Sequence, residues 1–187
     1  MNKQVSLEHI HMAFGEKGIF SDLSLSFDAP KHYAILGPSG RGKTTLLRLI
    51  AGLEKPVRGQ IHLPQDARIS FCFQEDRLLP WKTVLENVSL VCADEERARF
   101  WLAQVGLSGE ENSYPASLSG GMKRRASLAR ALAYDADILL MDEPFRALDE
   151  QTHAQMLALV RRAAEGRLLL LVTHDETDAE GMEIVRI

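Results

Sequence analysis

Residues 5–27 alternate apolar and polar positions at strand spacing. Val5 and Leu7 share one phase, Ile10, Met12 and Phe14 the other, and Leu23, Leu25 and Phe27 resume the alternation. The phase slip after Leu7 predicts antiparallel strands with a bulge or turn near His9. Four later runs, 32–36, 69–73, 138–141 and 168–173, are apolar almost throughout. Successive strand residues point to opposite faces, so unbroken apolar runs predict strands covered on both sides in a mostly parallel sheet. Helical spacing occupies 44–53, 94–105, 121–134 and 150–165. Strands alternating with helices predict an α/β core. The stretches 54–59 and 106–115 are rich in turn residues, and each is short enough to be a loop rather than a domain linker.

Composition narrows the function classes. The 187 residues suit one domain, 1–187, with 45% apolar and 26% charged positions, ordinary globular values. A net charge of −4 argues against a nucleic-acid binder. Cys72 and Cys92 both stand among apolar neighbours and read as core thiols of a reducing compartment, not as a disulfide. The longest apolar stretches, 46–53 and 168–172, fall well short of the ~20 residues a membrane span requires. The N-terminus has no basic start followed by an apolar run, so no secretory signal is expected and any work at a membrane goes through a partner.

Gly37-Pro38-Ser39-Gly40-Arg41-Gly42-Lys43-Thr44 follows the strand 32–36 and opens the helix 44–53. Glycines in this setting let backbone N–H groups converge on phosphate oxygens at the positive end of a helix. Lys43 then reaches the β- and γ-phosphates and the Thr44 hydroxyl ligates Mg²⁺, with Thr45 beside it, which makes ATP and Mg²⁺ the expected ligands. A glycine-rich turn with an incidental lysine is the competing reading. Asp142 and Glu143 end the apolar run 138–141, with Pro144 behind them. At the carboxyl edge of a parallel sheet, Asp142 suits the metal and Glu143 suits a general base for water. Without the phosphate motif the same pair would read as a solvated turn.

Leu118-Ser119-Gly120-Gly121-Met122 narrows the choice among nucleotide hydrolases. Ser119 can cap the following helix, while Gly120 and Gly121 leave its N–H groups bare for an anion. The loop resembles the signature of ABC ATPases, and the resemblance extends over about 4–183. It implies a P-loop fold with an N-terminal antiparallel β subdomain and a small helical subdomain, about 75–116, inserted in the core. It also implies that the signature faces the γ-phosphate of a second copy, giving a head-to-tail dimer that sandwiches two ATP molecules. By the same resemblance Gln74 touches Mg²⁺ and the attacking water, His174 contacts the γ-phosphate, and Ala147-Leu148-Asp149 runs along the dimer interface. Phe14 stands where an aromatic stacks on adenine, or else in the core.

Phe73 to Trp81 is similar to importers of nitrate, sulfonate and taurine. That likeness implies a cytoplasmic ATPase held on the inner face of the membrane by integral permease subunits, and served indirectly by a solute-binding protein. Leu78, Leu79, Pro80 and Trp81 form an apolar loop that is either core of the helical lobe or the contact with the permease. Departures are Arg146 where the interface loop has serine, and Pro30-Lys31 where the family has Gly-Glu. The chain ends at Ile187, soon after His174, so no C-terminal regulatory domain is expected. Lys123, Arg124, Arg125 and Arg130 read as a solvated helix face. A small-molecule kinase would not need the signature loop, and repair or translation relatives carry long insertions or two cassettes. A cassette that binds without cleaving is disfavoured because Lys43, Gln74, Asp142, Glu143 and His174 are all present.

Overall fold

The N-terminal alternation forms a hairpin in which β1 (Gln4–Phe14) pairs antiparallel with β2 (Lys17–Asp28). Its register slips between Leu7 and Ile10, where His9 takes a φ of 52°, so the expected bulge is present. The structure is a computed structural model that describes residues 4–187. β4 (Arg58–His62) adds to the other edge of β1, giving the order β2-β1-β4. It begins inside the segment expected to be a loop. Only Ile61 in it is even half-buried, so no apolar alternation announces it, and pairing with Ser6, Leu7 and Glu8 makes it a strand.

The apolar runs form the second sheet: β3 (His32–Leu36), β5 (Ile69–Cys72), β6 (Ile138–Asp142) and β7 (Leu168–Val172), joined by β8 (Glu183–Arg186). Their order is β5-β6-β7-β3-β8, and every neighbouring pair is parallel. The two-residue side-chain period splits each run between two cores. Leu139, Met141, Leu169 and Leu171 face a core roofed by α2 (Val84–Cys92), α3 (Glu95–Gln104), α4 (Gly120–Ala133) and α5 (Glu150–Ala163). Ile138, Leu140, Leu168, Leu170 and Val172 face a second core, closed by α1 (Lys43–Ile50) and the inner side of β1 and β2. Each such leucine contributes about 1.5–3 kcal/mol by leaving water, and the buried Ser70 of β5 is accommodated by donating to Ala131 O at 2.6 Å.

The helices 44–53, 121–134 and 150–165 are present as α1, α4 and α5 with ends shifted by a few residues, and 94–105 is α3 with Asp94 as its cap. Periodicity alone did not disclose α2. The signal was a capping box: Thr83 accepts from the Glu86 N–H, and the Glu86 carboxylate accepts from the Thr83 N–H at 2.7 Å. Of the two thiols, Cys72 is buried and desolvation raises its pKa, whereas Cys92 is half-buried at the edge of the core. Of the two, only Cys72 is fully buried, while Cys92, the last residue of α2, packs against the core from its margin.

Asn87, fully buried on α2, fastens the turn before that helix. Its side chain accepts from Leu79 N–H at 2.7 Å and donates to the carbonyls of Leu79, Lys82 and Thr83. Leu78 thereby packs against the core while Trp81 stays 70% exposed. Asn87→Ala would strand several backbone groups, and is expected to cost about 2–4 kcal/mol in urea unfolding with an unchanged slope. A loss under about 0.5 kcal/mol, the range of an ordinary surface substitution, would refute this role.

Candidate active site

Loops that follow neighbouring parallel strands leave the sheet at the same edge. Here β3 is followed by the phosphate motif, β5 by Gln74, β6 by Glu143 and β7 by His174. Register aligns them, since Ile35 and Asp142 both pair with Val172 from opposite sides. The loops enclose a cleft of about 200 Å³ lined by Ile19, Ser39, Gly40, Gly42, Lys43, Thr44, Thr45, Gln74, Glu143, Val172 and His174.

Gly42 caps α1 with φ 99°, and a Cβ there would fall 2.6 Å from Ile19 and 2.7 Å from the Phe20 ring. Both the backbone conformation and the space demand glycine. The first intrahelical bond runs from Leu46 N–H to Gly42 O, so the N–H groups of Lys43, Thr44 and Thr45 precede the ladder and face outward. Lys43 is nearly buried and donates to the carbonyls of Gly37 at 2.6 Å and Pro38 at 3.0 Å. An ammonium has three N–H groups, so one remains for an incoming oxygen.

Asp142 is 1% exposed, and its Oδ1 is buried without a hydrogen-bond partner. Burial raises its pKa, the Thr44 hydroxyl opposes the rise, and the neighbouring Glu143 charge adds to it. A buried anion with an unfilled lone pair beside a threonine hydroxyl fits a hard cation. Among the described residues no group of three or more His, Cys, Asp or Glu is placed to hold a metal. A Mg²⁺ here would therefore complete its shell from water and phosphate oxygens, as that ion commonly does.

Glu143 is held from two sides. Gln74 Nε2 donates to its Oε2 at 3.1 Å, and His174 Nε2 lies 2.6 Å from its Oε1. Each carboxylate oxygen keeps a lone pair, so a water can still be bound. The backbone of Glu143 adopts φ 47°, a left-handed conformation unusual for a residue with a side chain. Thus Gln74, Glu143, His174, Lys43 and Thr44 converge, as do Gly40, Gly42, Ser39 and Thr45, with Asp142 directly behind them. Arg41 and Pro38 are exposed on the outer side of the loop.

Other expected site residues stand apart from this cleft. Ser119 caps α4 by accepting from Met122 N–H, and both Ser119 and Gly120 are exposed. A Cβ on Gly121 would lie 3.7 Å from Leu148, so the signature loop abuts the loop of Ala147 and Asp149. Asp149 caps α5, accepting from the Thr152 N–H and hydroxyl. Phe14, at the tip of the hairpin, is 46% exposed, while Ile19 lines the cleft; sequence reasoning did not single out Ile19.

The basic residues of α4 do not form the expected solvated face. Arg124 is 3% exposed and donates to backbone carbonyls of the loops after β5 and β6. Arg125 donates to Val105 O and Gly106 O at the end of α3, and Arg130 to Asp76 O and Arg77 O. Loop carbonyls with no strand partner need donors, and a guanidinium offers five in a plane. Lys123 has no such role among the described contacts.

Residues 20–146 match the family model described as ABC transporter. The chain is 47% identical over 180 residues to the aliphatic sulfonates import ATP-binding protein SsuB of Granulibacter bethesdensis, covering 94% of this chain and 75% of that one. It is 41% identical over 179 residues to the corresponding Shouchella clausii protein, covering 94% and 72%. Its fold is similar to an ATP-binding cassette solved as a dimer in a post-hydrolysis state with ADP and Pi, at TM-score 0.89 and 30% identity, covering 98% and 94% of the two chains.

The unpaired charge of Asp142 makes a prediction about metal. An acid whose pKa rises on folding is penalised above that pKa, and the penalty vanishes when low pH protonates it. At neutral pH, Asp142→Asn is expected to leave the nucleotide-free melting temperature equal or higher, while abolishing the extra stabilisation that Mg²⁺ adds to ATP. Calorimetry with and without Mg²⁺ checks both. A variant that still gains stability from Mg²⁺ as the parent does would remove Asp142 from the metal site.

Proposed function

The chain belongs to the ABC transporter family, and from that membership we propose that it is the ATP-hydrolysing subunit of a sulfonate importer, acting as a head-to-tail dimer on membrane permease subunits. The observation that carries the catalytic reading is the clamp on Glu143 by Gln74 and His174, at the lip of a cleft floored by Lys43 and Thr44. The N–H groups at the start of α1 bind the β-phosphate and the free N–H of Lys43 binds the γ-phosphate. Thr44 and Asp142 would hold Mg²⁺, which would supply electrostatic stabilisation of the phosphate oxygens. Glu143 takes a proton from water as its oxygen bonds to the γ-phosphorus, and the bond to the ADP oxygen breaks, releasing ADP and phosphate. Gln74 and His174 hold the carboxylate and that water in line. Gln74 would also reach the cation, and the exposed Ser119 and Gly120, with the half-buried Gly121, serve the cleft of the second copy, with Asp149 between the two and Phe14 against adenine.

A surface that supports docking of the permease lies where the helical lobe meets β5 and α4. A cleft of about 560 Å³ is lined by Phe71, Phe73, Leu90, Val91 and Tyr134, among others. Phe73 stacks on Phe71 at 4.3 Å, lies under the Arg77 guanidinium and directly precedes Gln74. With Trp81 and Leu90 exposed nearby in sequence, this lobe presents apolar anchors that a solvated surface does not need. No helix among the described residues is long and apolar enough to cross a membrane, which supports attachment through a partner. The sulfonate assignment is supported by the names of the relatives, and a solute-binding protein is the further partner that an importer would need.

Two experiments test the reading. Glu143→Gln should retain ATP affinity, lose at least about a hundredfold in turnover, and dimerise in saturating Mg-ATP by light scattering. Parental turnover would overturn the base assignment, and a monomer under those conditions would overturn the sandwich. Trp81→Ala should lower permease capture by about 2 kcal/mol or more with the melting temperature and ATP binding unchanged. A large drop in melting temperature with normal capture would make Trp81 structural.

A further inference from the structure

We infer that Arg124 is a positioning residue through which α4 sets the backbones of both Gln74 and Glu143, and so the geometry of the hydrolytic carboxylate. The inference rests on the proposed roles of those two residues and adds a third, which bonds their main chains without lining the cleft.

The guanidinium spans two loops. Nε donates to Pro144 O at 2.8 Å, and Nη2 to Glu143 O at 2.6 Å and Asp142 O at 3.1 Å. Nη1 donates to Phe73 O at 2.6 Å and Gln74 O at 3.3 Å, with Asp76 Oδ1 at 3.5 Å. Five carbonyl oxygens thus point at one cation that is 3% exposed. Asp76 forms an ion pair at 3.5 Å and Asp142 lies within Coulombic reach, while the carbonyl dipoles supply the close contacts that compensate the lost hydration. An apolar side chain of similar volume would avoid that desolvation, but would leave the carbonyls of both loops unpaired.

The geometry at Glu143 shows what is held. Its N–H donates to Val172 O at 3.0 Å and its carbonyl accepts from Arg124 at 2.6 Å, so both polar groups of this peptide segment are clamped. Between the clamps φ is 47°, a conformation a residue with a Cβ keeps only where its surroundings impose it. That twist aims the carboxylate at Gln74, whose own carbonyl and the preceding one are bonded to the same guanidinium. The 3.1 Å contact between Gln74 and Glu143 therefore depends on a group that fixes both main chains at once. Lysine, a point charge without the planar fork, cannot do so.

The test uses the full chain carrying Arg124→Lys or Arg124→Gln, with competent sites counted by Mg-ATP binding stoichiometry so that unfolded protein does not enter the rate. Both variants should bind ATP with KM within about threefold of the parent, while kcat per competent site falls about ten- to a hundredfold, as for a displaced reacting group. In a Gln74→Ala background the same Arg124 substitution should cost markedly less, because part of what it positions is gone. A merely structural arginine would lower stability and site count but leave kcat per site unchanged. If Arg124→Gln does not fold, Arg124→Lys, which keeps the charge, carries the test. Parental kcat per competent site, or equal losses in both backgrounds, would overturn the inference. Glu143→Gln measured alongside separates the two failures: if that variant is inactive while the Arg124 variants turn over normally, only this inference falls.

Discussion

Parallel pairing of four buried strands is the constraint on which the rest depends. β5, β6, β7 and β3 run in one direction, so four loops that are far apart in the chain leave the sheet at one edge. Hydrophobic burial supplies the strands with their stability but says little about register, because these runs are apolar in both phases and a slip by one residue would still bury leucine. Polar groups at the strand ends specify it instead. Leu169 N–H bonded to Lys31 O marks where β3 and β7 begin, and Glu143 N–H bonded to Val172 O marks where β6 and β7 end.

Several buried polar residues gather at that same edge, while Ser70, Asn87 and Ser127 lie elsewhere. Lys43, Arg124, Asp142, Thr173 and Asp178 are each at most 6% exposed. Most are satisfied within the chain: Lys43 and Arg124 by carbonyls, and Asp178 by Thr173 at 2.6 Å and by His153 at 2.6 Å. The His153 and Asp178 pair ties α5 to the residue preceding His174, as Arg124 ties α4 to Gln74 and Glu143. Asp142 differs, since Oδ1 is left without a donor. Lys43 keeps its charge and an N–H for a phosphate, and Asp142 keeps an unfilled lone pair for a cation, so this edge is electrostatically prepared for a metal and a phosphate together.

Two surfaces bear on the partners proposed above. The signature loop bares Ser119 and Gly120 away from the cleft of its own subunit, so its helix start has no phosphate within the same chain. Trp81 is held out by a turn whose backbone is fastened through the fully buried Asn87. Rigid support beneath an exposed aromatic lowers the entropy lost on binding, which is what an anchor residue requires.

Where a feature depends on a few neighbouring residues, the sequence by itself determined it. The phosphate loop, the paired acids ending β6, the Ser119 cap and the bulge at His9 are backbone conformations written within short stretches, and unbroken apolar runs sufficed for a parallel sheet. The fates of the arginines on α4 were decided only in three dimensions. Arg124 meets Phe73 O across 51 residues and Pro144 O across 20, so its spacing on the helix, which resembles a solvated face, carries no trace of them. β4 likewise exists because β1 offers an edge, and the engagement of Asp149 as a helix cap competes with any other use of its oxygens. Local conformational preference is encoded locally, whereas the pairing of a buried charge is set by whichever backbone groups the folded chain brings beside it.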